Sequence, residues 1–163
     1  MFKIIKEDIT NYPQTFTIDF EKACINSILK YFPYCLICLC YFHFTQKLWK
    51  NVQLKGLATH YCEDSSIRQN FKYLKALAFV PVRFVITAFV LISGNAPKIF
   101  QPMLSYFEEW YIGLVITNAT RRQPCYPIKM WNLHSRILKG ILETIIKILI
   151  TINNWIFKTR NLQ

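Results

Sequence analysis

The chain is poor in acid and in glycine. Nine Asp and Glu stand against twenty Lys and Arg in 163 residues, a formal charge of +11, so its field favours a polyanion or an acidic membrane surface over any cationic partner. Only four glycines occur, while 53% of the residues are hydrophobic and 16% aromatic, which excludes a disordered linker and predicts a packed chain rich in regular elements. There is no long polybasic run. Lys47, Lys50, Lys55, Lys72 and Lys75 are scattered singly through apolar segments, and a solvated helix face explains such spacing as well as nucleic acid does.

Other absences narrow the class. The start, Met1 to Asp8, has no uninterrupted apolar core and no small-residue cleavage site, so a secretory signal is not expected and the compartment should be reducing. Cys24, Cys35, Cys38, Cys40, Cys62 and Cys125 then read as thiols, not as a disulfide framework. No membrane span is expected: the most apolar stretch, 76–93, is broken by Pro81 and Arg83 and reads as two core helices. The segment 137–157 carries Lys139, Glu143 and Lys147 and reads as an amphipathic helix, one that could lie on a membrane surface. A Gly-rich phosphate loop, a Ser-centred nucleophile elbow and a His-Glu-x-x-His helix are all missing.

What is present begins with the end of a helix over 2–9, broken at Asn11-Tyr12-Pro13. Thr15 to Ile18 then reads as a short strand, followed at once by Asp19. Ile25, Ile28, Leu29 and Phe32 have helical spacing, and Tyr34 to Phe44 is a bulky, Cys-rich run expected to form a second buried strand. A helix between two strands is long enough for a crossover and predicts a parallel pair.

From Phe44 on the pattern is helical, through Leu48, Trp49 and Val52, then Ile67, Phe71, Leu74 and Ala78, then Val82, Val85, Ile86 and Phe89, then Phe100, Met103, Leu104 and Phe107. Asp64-Ser65-Ser66 is a plausible cap for the second of these helices. A loop over 113–130 precedes a last helix through Ile137, Leu138, Ile141, Leu142 and Ile145. Two strands alone make a marginal sheet, so more strands or extensive helix packing are expected.

Several blocks carry a resemblance. Thr17-Ile18-Asp19-Phe20-Glu21-Lys22-Ala23, Phe32-Pro33, Cys40-Tyr41-Phe42-His43-Phe44 with Trp49, Gly56-Leu57-Ala58, Leu74 to Pro81, Tyr106 to Gly113, Pro127-Ile128 and Trp131-Asn132 resemble, in this order, the central part of Mutator-like element transposases. The resemblance covers the chain to about residue 140.

It implies an RNase H-like catalytic core in which three acids hold two divalent metal ions, Mg or Mn, to cut and join DNA. The implied fold class is an α/β fragment of that core, over 1–44, followed by an all-helical insertion-like region over 45–139 and a divergent helical tail over 140–163, mostly α by residue count. It also implies DNA and other transposase chains as partners, and a nuclear location in a eukaryote. Asp19 falls at the family's second acid and is its expected metal ligand; Cys40 and His43 match the family's Cys-x-x-His motif.

The departures bear on activity. The strand with the first acid would lie upstream of Met1. The third acid is expected in a Thr-Asn-Asn-x-x-Glu segment, and neither Glu143 nor Asn153-Asn154 has the right neighbours. A shifted reading frame beyond about residue 140 would account for the lost motif and for the Ile, Asn and Lys bias of the tail. The expectation is a degenerate fragment, inactive alone, with a non-catalytic basic module that binds DNA or another transposase chain as the alternative.

Each candidate has a plainer reading. Asp19 could cap a helix beginning at Phe20. Cys40 and His43 have the spacing of half a zinc site, but His60 with Cys62 is an atypical second half, and buried strand thiols are the favoured reading of the cysteines. His134 reads as a surface residue, adjacent Glu108 and Glu109 as no catalytic pair, and Arg121 with Arg122 as either a phosphate grip or solvated loop residues.

Overall fold

The computed structural model describes residues 2–116, 120–138 and 140. It is mostly helical with one small parallel sheet. Helix α1 (Phe2–Asp8) leads into β1 (Thr15–Ile18); α2 (Lys22–Tyr31) crosses to β2 (Leu36–Leu39). The strands pair in parallel, Thr15 against Leu36 through Ile18 against Leu39, as the intervening helix required. Helices α3 (Tyr41–Leu54), α4 (Ala58–Glu63), α5 (Ser65–Ala76), α6 (Val85–Asn95) and α7 (Gln101–Phe107) follow, with single 3-10 turns at Leu77–Phe79, Val82–Phe84 and Lys98–Phe100. A π-turn, Glu108–Ile112, extends α7, and short helices α8 (Ile128–Trp131) and α9 (His134–Leu138) close the described chain.

The second strand is shorter than the apolar run suggested. Residues 34–44 do not form one strand: pairing stops at Leu39 and a helix starts at Tyr41. The reason is phase. Tyr41, Phe44, Leu48 and Val52 are buried on one side of α3, a 3.6-residue stripe that captures the last part of the run. His43 therefore stands on a helix and Cys40 at its N-cap, and of the three clustered cysteines only Cys38 lies in the strand.

The sheet gains its stability from helices, which is how two strands persist. Ile37, Cys38 and Leu39 are buried, α8 packs on β2, and the Arg136 guanidinium donates to the Leu39 carbonyl at 3.3 Å. One buried cluster runs from Phe20 to Leu133. Its centre is aromatic: Phe44 stacks on Trp131 with ring centroids 5.3 Å apart, and Phe107 on Tyr111 at 5.0 Å. Such contacts add to the area each ring removes from water.

The blocks of the resemblance meet in this core. Asn132 donates to the Val80 carbonyl at 2.7 Å, and Leu133 N–H to Ala78 at 2.6 Å, so the segment after Trp131 clasps the turn that ends the Leu74 to Pro81 block. The Tyr126 N–H donates to Trp110 at 3.0 Å. Gly113 ends the π-turn at φ 95°, where a Cβ would collide with the Arg122 carbonyl oxygen; only glycine lets the returning strand pass, where Val115 bridges Arg121. Glu108 and Arg121 then pair at 2.6 Å, and Arg121 also donates to the Gly113 carbonyl at 2.6 Å. Arg121 is thus a structural clamp, neither solvated nor free to grip phosphate.

Candidate functional site

Asp19 stands at the carboxyl end of β1, beside the point where β2 becomes α3. The Cys40 N–H donates to the Ile18 carbonyl at 2.9 Å, which fixes the strand ends side by side; open parallel sheets place ligand sites at this end. One turn into α3, His43 brings Nδ1 to 2.7 Å from Asp19 Oδ1. The ring nitrogen has no exposed surface and makes no aligned hydrogen bond, so the contact is a close approach of the two side chains. The Asp19 side chain remains 60% exposed and His43 35%.

Asp19 is not a helix cap. Helix α2 starts at Lys22, and its N-cap position belongs to Glu21, whose side chain makes no capping bond. The plain reading of Asp19 fails on that geometry. Cys40 occupies the N-cap of α3 without a side-chain capping bond either, and three positions separate it from His43 on the first turn, which puts both on one side of the helix.

The Asp19–His43 pair forms one wall of an open cleft of about 240 Å³, with Phe20, Glu21, Gln46, Lys47 and Lys50 as the rest. Lys47, one turn beyond His43, is the anchor of the basic wall. Its ammonium lies 3.3 Å from the Tyr126 hydroxyl, 5.9 Å from the Phe20 ring centre and 5.4 Å from that of Tyr126. The Tyr126 hydroxyl donates onward to the Phe20 carbonyl at 2.9 Å. Burial pushes the Tyr126 phenol up, as it does Tyr111 and, to about 12, Tyr41; these phenols stay protonated and serve as scaffold. Burial also raises the Cys24 thiol, helped by Glu21 and Asp19, and raises Cys38 against the opposing field of Arg136. Neither is a thiolate poised to attack.

The donor set does not fit a two-metal centre. Two ions about 4 Å apart need several converging carboxylates, and among the described residues no three His, Cys, Asp or Glu side chains converge. His60 and Cys62 sit exposed on α4, Glu108 is engaged with Arg121, and Glu143 lies outside the described residues. Lys47, Lys50, Glu21 and Tyr126 belong to the site although sequence reasoning gave them no part in it. The i, i+4 spacing of His43 and Lys47 was the available signal. Protein-family models, characterised proteins and solved structures were all compared with the chain, and none matches.

Proposed function

We propose that the chain is a degenerate fragment of the catalytic core of a Mutator-like transposase, inactive alone as a DNA-cutting enzyme. The observation that carries this reading is the 2.7 Å approach of His43 to Asp19 at adjoining parallel strand ends. The two motifs of the resemblance are separated in sequence, and the parallel register of β1 and β2 brings them to one corner, which supports the reading that they belong to one site. Within an RNase H-like core, which the parallel pair and its crossover helix are compatible with, Asp19 would hold a divalent ion supplying Lewis-acid stabilisation to phosphoryl transfer. Here one acid of that set stands against an imidazole, and Lys47 and Lys50 supply positive charge for a phosphate backbone. Supercoiled plasmid with Mg or Mn should show no nicking above the protein-free control. Nicking that disappears in Asp19→Asn would overturn the claim of inactivity. The lineage has a separate test: genomic sequence beside the gene should carry a strand ending in Asp upstream and an Asn-Asn and Glu motif in one of the frames past residue 140, and absence of that motif from every frame defeats the shifted reading frame.

The alternative, a non-catalytic basic module that binds DNA or another transposase chain, has an observation of its own. Arg121 is the only Lys or Arg among the described residues that pairs with a carboxylate, so the charge of the other described cations is not neutralised by a described acid. Duplex DNA should bind at low salt, and the affinity should fall steeply as salt displaces released counterions. Absence of binding at low salt removes the DNA form of this alternative.

A further inference from the structure

Helix α6 turns an apolar face outward. Val85 and Phe89 are buried beneath it, yet Ile86, Val90 and Leu91 on the opposite stripe are 39%, 52% and 63% exposed. With Thr87 they follow the i, i+1, i+4, i+5 spacing of one helix face. No charged residue occurs between Arg83 and Lys98, whereas the outer side of α3 carries Lys50 and that of α5 carries Lys72, both exposed. Phe84, half exposed, extends the apolar stripe at its start, where the Arg83 guanidinium lies 4.7 Å from its ring centre. The exposed Lys98 and Ile99 follow the far end.

We propose that this face docks on an anionic lipid bilayer, with α6 lying in the interfacial plane. Charge decides the occupant. Between Asp64 and Glu108 the sequence holds no acidic residue, while Arg68, Lys72, Lys75, Arg83 and Lys98 are basic. A second copy of a +11 chain would bring two such acid-free stretches together and be repelled. An anionic bilayer presents both things the face lacks: an apolar interior for Ile86, Val90 and Leu91, and negative headgroups for the cations at the two ends. Eleven residues of α6 reach about 16 Å at ~1.5 Å per residue, half the thickness of a bilayer's hydrocarbon core. The helix can lie on such a surface and cannot cross it, and no described helix is long and apolar enough to span.

The experiment is flotation of the full chain with phosphatidylcholine vesicles containing phosphatidylserine, and with phosphatidylcholine alone. The chain should float with the first and remain behind with the second. Leu91→Glu should weaken flotation at least about tenfold, since it removes one inserted aliphatic side chain and adds a repelled charge. Arg83→Glu with Lys98→Glu should weaken it comparably, and Tyr34→Glu, at a fully exposed aromatic elsewhere, should not. Circular dichroism of each variant checks that the helices persist, and the charge-reversal pair provides an independent reading if Leu91→Glu fails to fold. Flotation that survives both α6 variants would overturn the proposal and pass membrane binding to the segment beyond residue 140. Equal flotation with neutral vesicles, no flotation at all, or concentration-dependent dimers broken by Leu91→Glu would overturn it as well.

Discussion

Helices α5 and α6 are consecutive, nearly equal in length and packed on each other, yet they treat water in opposite ways. Helix α5 buries Ile67, Phe71 and Leu74 and turns Gln69, Lys72 and the hydroxyl-bearing Tyr73 outward; of its other two cations, Arg68 donates to the Tyr61 and Cys62 carbonyls and Lys75 lays its stem inward with the ammonium 4.9 Å from the Phe71 ring centre. Helix α6 buries Val85 and Phe89 and turns Ile86, Val90 and Leu91 outward. Folding constrains only the inner stripe of a helix, because burial is what stabilises it. The outer stripe of α5 is the ordinary solvated solution. That of α6 needs a reason outside the fold, so the contrast separates what the core requires from what an interaction requires.

The sharpest test of that contrast lies in the inner stripes, which should behave alike. Phe89→Ala should cost about 3–5 kcal/mol and Leu74→Ala about 2–5 kcal/mol, read by chemical denaturation. A loss well below ~1 kcal/mol for Phe89→Ala would mean that α6 is not docked through its inner face, and the comparison would collapse. A smaller effect is expected at the turn between the two helices. Asn132→Leu removes the donor that reaches Val80 at 2.7 Å and the acceptor for His134 N–H at 3.1 Å, and leaving buried backbone groups unpaired costs about 1–3 kcal/mol. Unchanged stability there would show that α5 and α6 hold their angle without the clasp.

The smallest effect belongs to the ends. Asp64 caps α5, accepting from the Ser66 N–H at 2.7 Å, whereas α6 has no side-chain cap. The Ser66 hydroxyl, and after it the Ser66 amide, holds the Asp64 carboxyl below the usual carboxylate range. A carboxyl lowered by folding stabilises fully above its unfolded value of about 3.9 and loses that contribution as pH falls through the lower folded value. Asp64→Ala should therefore lower the melting temperature slightly at neutral pH and by less once the pH is well below the unfolded carboxyl's value of about 3.9. An equal shift in both ranges would mean that the carboxylate is not what caps α5.

The same pair of helices explains what could be read from the sequence. The cap at Asp64 and the stripe of α5 were legible because polar residues break the apolar pattern and fix its phase. In α6 every position from Val85 to Ile92 except Thr87 is apolar, so no phase can be assigned there, and Ile86 is grouped with the core although it faces out. The expected strand over 34–44 failed for a related reason: an apolar run looks the same whether a strand or a helix buries it, and only the continuation to Leu48 and Val52 reveals the helical period. At the candidate site Asp19 and the first strand were legible from the sequence. The approach of His43 was not, because it depends on β2 ending at Leu39 and on the turn into α3. Lys47 was signalled only by its i, i+4 spacing from His43, and Tyr126 was hidden more deeply, since what makes it part of the site is a hydrogen bond to Phe20 that spans most of the chain.

That bond sets the order in which the molecule can be made. The Tyr126 hydroxyl fastens the Phe20 carbonyl across 106 positions, so during synthesis the Asp19 corner leaves the ribosome long before its latch exists. Domains assemble as their segments emerge, and partly built cores expose apolar surface. A nascent chain whose emerged part stops short of Tyr126 lacks the latch on Phe20 and the Trp131 ring that stacks on Phe44, so ribosome-bound chains that have exposed residues 1–110 and 1–135 beyond the exit tunnel should differ in their recruitment of chaperones.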